Sequence, residues 1–251
     1  MRVQFMSDIH TEVWLNSDHG ARFIKTLDPR GVDVLVLAGD IGNAETFAPV
    51  LRRFCKRYAA AKVVYVLGNH EMYGSSPQAT YAAVRVVAAE CPNLVFLDND
   101  VVDIDGVMFA GSTLWFPYRP DNLLHQGVWN DFFEITDFLP WVYEQSQVSE
   151  QFLCETLMTS RVDVVVTHHL PSYRCVAAQH RGDVANRFVV NPIVERIPPN
   201  LLPPVWIFGH AHTPMDGLHH GCRFVSNPRG YPWEVIHPFR PAVFLDISPR
   251  V

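Results

Sequence analysis

Two short runs near the N-terminus, VDVLVLA (32–38) and VVYVL (63–67), are apolar at almost every position rather than at every second one, and VQFMS (3–7) ahead of them is mostly apolar. A strand with one wet face alternates, whereas a continuously apolar strand is covered on both faces, as in a parallel sheet. Segments near 18–28, 44–60 and 77–90 read as helices, so the first third is βαβαβα with right-handed crossovers. The loops that follow its strands then open on one edge. The remainder is richer in strand, with runs at 94–97, 100–104, 107–111, 162–167, 205–208, 222–226 and 242–247, and a helix expected over 140–160. Segments 112–139 and 171–204 fit neither period, and long connections of that kind often build the lids or walls of sites. No repeat, low-complexity tract or linker divides residues 1–251, which are expected to form a single domain with a substantial core.

Five of these apolar runs stop at side chains that contribute little to a core. MSDIH places Asp8 and His10 after the first, LAGDIGN places Asp40 after the second, and VLGNHE places Asn69 and His70 after the third. VVVTHHLPS ends another in His168 and His169, and WIFGHAHT ends one more in His210 and His212. Any one of these is an ordinary turn residue. Five together indicate a shared purpose, because ligands of open α/β sheets bind beyond the carboxyl ends of the strands. Carboxylate, amide oxygen and imidazole suit borderline to hard divalent metals, and no cysteine takes part. Asp8 and His10 alternate by two, as do His210 and His212, so in extended chain each pair faces one side. A single carboxylate ending a central strand, Asp40, is the natural bridge between two cations.

Composition narrows the partners. The formal charge is −6 with no basic cluster, so a long nucleic acid is a poor fit. No apolar stretch has the length of a membrane span, and the N-terminus lacks the features of a secretory signal, which makes the cytoplasm the default. Five widely spaced cysteines without a CxxC pair read as isolated reduced thiols. The sequence leaves the oligomeric state open.

Taken together, Asp8-x-His10, Gly39-Asp40, Gly68-Asn69-His70-Glu71, His168 and Gly209-His210-x-His212 resemble the signature of the calcineurin-like metallophosphoesterases. The resemblance, closest to small bacterial-type members, implies an α/β fold: a four-layer α/β/β/α sandwich of two mixed β-sheets flanked by helices. It further implies two divalent metal ions, Mn foremost, with Fe, Zn, Co or Ni as other options. One ion would take Asp8, His10 and His212, the other Asn69, His168 and His210, and Asp40 would bridge them. A hydroxide bridging the metals would attack phosphorus, with His70 as leaving-group acid or transition-state stabiliser beside the catalytic Asp40. Arg229 and Asn69 are the candidate substrate contacts. In the tail SNPRGYP (226–232), Arg229 reads either as a phosphate contact or as a turn residue, while Asn130 and Asp131 read as subgroup features or as a helix cap and hydrogen-bond partners of the ligands.

The implied activity is hydrolysis of a small phosphomonoester or phosphodiester. A catalytically lapsed scaffold and a nuclease are the alternatives. Where many relatives have GDxxD this chain has GDIGN, so Asn43 stands where a carboxylate would orient an imidazole. The absence of GDxxDRG disfavours a protein phosphatase. His169 reads as a wall or hydrogen-bonding residue, and His19, His125, His180, His219, His220 and His237 as exposed or locally bonded, with His219 and His220 near enough to the GHAH loop to watch. Trp115, Phe116, Tyr118, Trp129, Phe132 and Phe133 read either as a stacking platform or as a small core under a loop.

Overall fold

The computed structural model describes residues 1–14, 20–234 and 239–248, so His19 and His237 lie outside the described residues. Strands β1 (Arg2–Met6), β2 (Val34–Ala38), β3 (Lys62–Val66) and β4 (Leu94–Phe96) run parallel in that order, and β11 (Phe244–Asp246) pairs antiparallel on the outer side of β1. A second sheet has the order β5-β6-β7-β8-β10-β9, from β5 (Asp100–Ile104), β6 (Val107–Ser112), β7 (Val164–Thr167), β8 (Val205–Ile207), β9 (Met215–His219) and β10 (Cys222–Ser226). Its centre, β6 to β8 and β10, is parallel, and its two edges are antiparallel hairpins.

The continuous apolar runs are explained by what lies on each face. Val34, Val36 and Ala38 of β2 face the second sheet and pack in one cluster with Phe109, Val164, Val166 and Ile207. Leu35 and Leu37 point the other way, onto α2 (Phe47–Arg57) through Val50, Leu51 and Phe54. Beyond the second sheet, Val165, Trp206 and Phe224 cover Leu153 and Leu157 of α5 (Trp141–Thr159). The layers are therefore helix, sheet, sheet, helix, as expected. Each fully buried Val or Leu stabilises this arrangement by roughly 1.5–3 kcal/mol relative to exposure. The other helices are α1 (Ala21–Thr26), α3 (Pro77–Glu90), α4 (Asp131–Glu134) and α6 (Asn186–Val189). Ser76 caps α3 by accepting from the Ala79 N–H at 3.3 Å, and Pro77 opens its first turn.

The two segments that fit no period form short helical turns. Segment 112–139 holds α4 and 3₁₀ turns at Pro120–Leu124 and Gln126–Val128; segment 171–204 holds α6 and four 3₁₀ turns. Strand β9 has no counterpart among the expected strands. It is an edge strand of sequence MDGLH, with Leu218 exposed, so no apolar alternation marks it. His220 and Gly221 both have positive φ and close its hairpin with β10, which is the place the structure assigns to His220. His219 and His220 lie outside the cavity described below.

Candidate metal centre

The carboxyl ends of β1, β2, β3, β7 and β8 meet at one edge, joined across the sheets by their own backbone. Asp8 N–H donates to Gly39 O at 3.0 Å, Gly209 N–H to His168 O at 3.0 Å, and His210 N–H to Asp8 Oδ1 at 2.9 Å. Two glycines permit this approach: a Cβ on Gly68 would lie 2.1 Å from Asp40 Oδ1, and one on Gly209 would lie 2.8 Å from Ala38 O. Asp8, His10, Asp40, His210 and His212 all have positive φ, between 47° and 71°. For non-glycine residues this costs roughly 1–2 kcal/mol each. Strain concentrated on five such residues marks a functional site, paid for by the core behind it.

Asp8, His10, Asp40 and His212 form one group of facing ligand atoms, and Asp40, His168 and His210 form another. His10 Nε2 lies 2.9 Å from His212 Nε2 and 3.7 Å from Asp40 Oδ2, and His212 Nε2 lies 3.5 Å from Asp8 Oδ1. On the other side His168 Nε2 lies 3.0 Å from Asn69 Oδ1, 3.1 Å from His210 Nδ1 and 3.3 Å from Asp40 Oδ2. Metal–nitrogen and metal–oxygen bonds of about 2.0–2.2 Å place neighbouring ligands of one ion about 3.0–3.5 Å apart. The observed separations, from 2.9 to 3.7 Å, bracket that edge length.

The ring orientations make the fit sharper. His10 Nδ1 is engaged by Glu12 Oε1 at 3.0 Å and His212 Nδ1 by Glu234 Oε2 at 2.7 Å, so both rings turn Nε2 inward. His168 donates from Nδ1 to Ala38 O at 2.9 Å and also turns Nε2 inward. As neutral rings these would press lone pairs against one another, which only a cation or a proton between them relieves. Burial and neighbouring charges decide which rings carry the protons. Burial alone would lower His168 and His212, but Asp40 raises the first to about 9, and Asp8 with Glu234 raises the second to about 10. Burial holds His10 below its ordinary value and His210 well below it, so these rings are neutral. Asp8 and Asp40 stay ionised despite burial, Asp8 through its bond to His212 and Asp40 through the charges of His168 and His70.

Supporting carboxylates and tyrosines surround these groups: Glu71 belongs to the GNHE run and Asp131 is read from the sequence as a hydrogen-bond partner of the ligands, whereas no motif marks Tyr73 or Glu234. Asp131 is buried and accepts from Asn69 Nδ2 at 2.8 Å, Tyr73 Oη at 2.7 Å and Trp129 Nε1 at 2.8 Å, which turns Asn69 Oδ1 towards His168. Glu71 is buried too and accepts the N–H groups of Gly68, Asp40 and Ile41, tying the ends of β2 and β3 together. His70 stacks on Tyr73, with ring centroids 4.1 Å apart, and its Nε2 lies 3.0 Å from Tyr231 Oη. The tail brings Tyr231 and Glu234 here by running beside β1, with Arg229 N–H on Ser7 O at 3.0 Å and Gly230 N–H on Asp8 O at 2.9 Å.

Arg229 is the one predicted site residue that the structure does not bring to this cluster. Its guanidinium lies 3.8 Å above the Trp14 ring and 4.1 Å from the Phe23 ring, and burial lowers it to about 10. It borders a separate small pocket behind His212 and Gly230. Asn43 does not face the cluster either: its carbonyl accepts from Thr46 N–H and Oγ1 at the start of α2. His169 is buried against Trp115, and its Nε2, like that of His210, has no hydrogen-bond partner among the described residues.

Above the cluster opens a cavity of about 410 Å³. Asp40, Asn69, His70, His210 and His212 form its floor, and the two long segments supply its walls through residues such as Trp129, Asn130, Val176, Asn186 and Val189. His180 is at this wall and is exposed, so it belongs to the cavity. Of the aromatic residues in segment 112–139, Trp115 and Phe116 are core, Trp129 lines the cavity, and Tyr118 and Phe133 are exposed.

The family model for calcineurin-like phosphoesterase matches residues 1–214. An uncharacterised protein of Acanthamoeba polyphaga mimivirus is 24% identical, over 99% of this chain and 98% of its own length. Among solved structures, phosphopantetheinyl hydrolase of Mycobacterium tuberculosis superposes with a TM-score of 0.74 at 18% identity, covering 98% of this chain and 96% of that one. TT1561 of Thermus thermophilus superposes with a TM-score of 0.56 at 14% identity, covering 92% and 89%. At these identities the two structures establish a shared fold.

Proposed function

The chain belongs to the calcineurin-like phosphoesterase family, and on that premise we propose that it hydrolyses a small phosphomonoester or phosphodiester at a dinuclear metal centre. The observation that carries this reading is the position of Asp40: its Oδ2 faces His10 at 3.7 Å and His168 at 3.3 Å, one imidazole from each ligand group. Asp8, His10 and His212 would hold one divalent ion, Asn69, His168 and His210 the other, with Asp40 shared. When bound, such ions supply Lewis acidity to phosphoryl oxygens and lower the pKa of water; oxygen and nitrogen ligands of this kind suit Mn, Fe, Zn, Co or Ni, and Mn is the one we propose on the family resemblance.

The chain's own groups do the rest. Asp131 and Glu234 hold Asn69 and His212 in their ligating orientations. His70 carries its positive charge readily, because Asp40 and Glu12 outweigh its burial, and it stands at the cavity floor with Nε2 towards Tyr231. There it stabilises negative charge on the ester oxygens or gives a proton to the leaving oxygen. The walls limit the substrate to a small ester, and their mixture of Trp129, Val176 and Val189 with Asn130 and Asn186 suits an alcohol with both apolar and polar parts.

The test is a panel of para-nitrophenyl phosphate and bis-para-nitrophenyl phosphate, given to chelated protein titrated with Mn, Ni, Co and Zn. A phosphopantetheinyl ester joins the panel because the Mycobacterium tuberculosis protein is named for that activity. Metal-dependent turnover that disappears in Asp40→Asn supports the hydrolase, and the preferred ester separates monoesterase from diesterase. Metal uptake without turnover on any ester would instead favour the scaffold.

A further inference from the structure

Glu12 lies two residues beyond His10, and one of its oxygens serves two rings. Oε1 is 3.0 Å from Nδ1 of His10 and 3.0 Å from Nδ1 of His70. A carboxylate oxygen has two lone pairs, so it accepts both N–H groups at once. The rings themselves meet edge to face, with centroids 4.4 Å apart. The Glu12 side chain is only 11% exposed, so both bonds are made largely out of reach of solvent.

We propose, building on the reading above, that Glu12 is the positioning residue for both imidazoles. By accepting hydrogen bonds from both Nδ1–H groups it leaves His10 Nε2 as a lone pair for a metal and turns His70 Nε2 to the cavity and Tyr231. In the chain it occupies the role left vacant by Asn43, whose side chain is committed to Thr46. Because one oxygen holds both rings, the ligand and the leaving-group residue cannot shift independently. Metal loading and orientation of His70 are thereby coupled through a single atom.

Glu12→Ala and Glu12→Gln are compared with wild type by calorimetric titration of the chelated protein with Mn and Zn. Nitrogen-15 spectra of the histidine side chains and turnover of aryl phosphates of graded leaving-group acidity complete the comparison. Glu12→Ala is expected to weaken metal binding about 10–100-fold and to shift two rings away from the Nδ1–H tautomer. It also lowers kcat more steeply for poor leaving groups than for good ones, with KM little changed. Glu12→Gln keeps an acceptor oxygen without the charge, so its metal affinity falls less, about 3–10-fold. It carries the test if the alanine variant does not fold. Wild-type metal affinity and wild-type ring spectra in the variants overturn the proposal. A wild-type protein that hydrolyses nothing, while its variants show the affinity and tautomer changes, refutes the proposed activity and leaves the role of Glu12 standing.

Discussion

Replacing Asp131 by Ala separates fold from site most cleanly, because one buried carboxylate supports both. It accepts from Asn69, Tyr73 and Trp129 at 2.7–2.8 Å. Hydrogen bonds to a charged acceptor contribute about 1.5–3 kcal/mol each, and the three are not independent. Against them stands the cost of burying the carboxylate, several kcal/mol, seen in a pKa that burial raises despite the three donors. The difference, with three donors left unmatched in the variant, is about 2–4 kcal/mol of lost stability. In a chain of this length each kcal/mol moves Tm by about 2–4 °C, so the metal-free variant should melt roughly 5–15 °C lower. Asn69 is then free to turn its amide, and Mn affinity should fall about 10–100-fold. Thermal unfolding of chelated protein gives the first quantity and calorimetric titration the second. A variant that loses the stability yet binds Mn as wild type refutes the orienting role and leaves Asp131 as a fastener of the loop. An unchanged Tm refutes the burial argument itself.

His70→Ala should leave metal affinity within about threefold of wild type and lower kcat by about a hundredfold or more, measured on the preferred ester; full activity would remove His70 from the mechanism. Metal loading should release protons. His168 at about 9 and His212 at about 10 lie above the ordinary 6.5, so both rings are charged in metal-free protein at pH 7 and must become neutral to ligate. Titrations at pH 7 in buffers of different ionisation enthalpy should give about two protons per fully loaded chain, and affinity should climb with pH until about pH 9–10. The same two rings stabilise the metal-free fold fully below about pH 6.5 and lose that contribution as pH rises through 9 to 10, so chelated protein should melt lower at alkaline pH.

The sandwich is readable from residues 34–38 alone, where Val-Leu-Val-Leu-Ala alternates between two buried faces and so requires a layer on each side. The ligand cluster is readable because parallel strands deliver their carboxyl ends to one edge, so Asp8, Asp40, Asn69, His168 and His210 converge although they are far apart in the chain. The supporting carboxylates are harder. Glu234 reaches the site only through a loop whose course depends on tertiary packing, and Asp131, though read from the sequence as a possible hydrogen-bond partner of the ligands, opens a helix of one turn that is too short to show a period. Glu12 extends the spacing of Asp8 and His10 by one step in DIHTE, but the extended chain expected there and at His210 and His212 is not what forms: all four ligands have positive φ, and left-handed turns rather than strand alternation aim them inward. Arg229 illustrates the converse. A basic residue in a Pro-Gly loop suggests a phosphate, but Trp14 and Phe23 offer its guanidinium an aromatic seat instead.

The most direct test of a shared Asp40 is electron paramagnetic resonance of the Mn-loaded protein beside a measured metal content. Two Mn per chain with the spectrum of an exchange-coupled pair is the expected result, replaced in Asp40→Asn by the six-line signal of isolated ions or by loss of one ion. Two fully bound Mn ions that give only isolated six-line signals in the wild type would contradict the carboxylate bridge and, with it, the dinuclear centre.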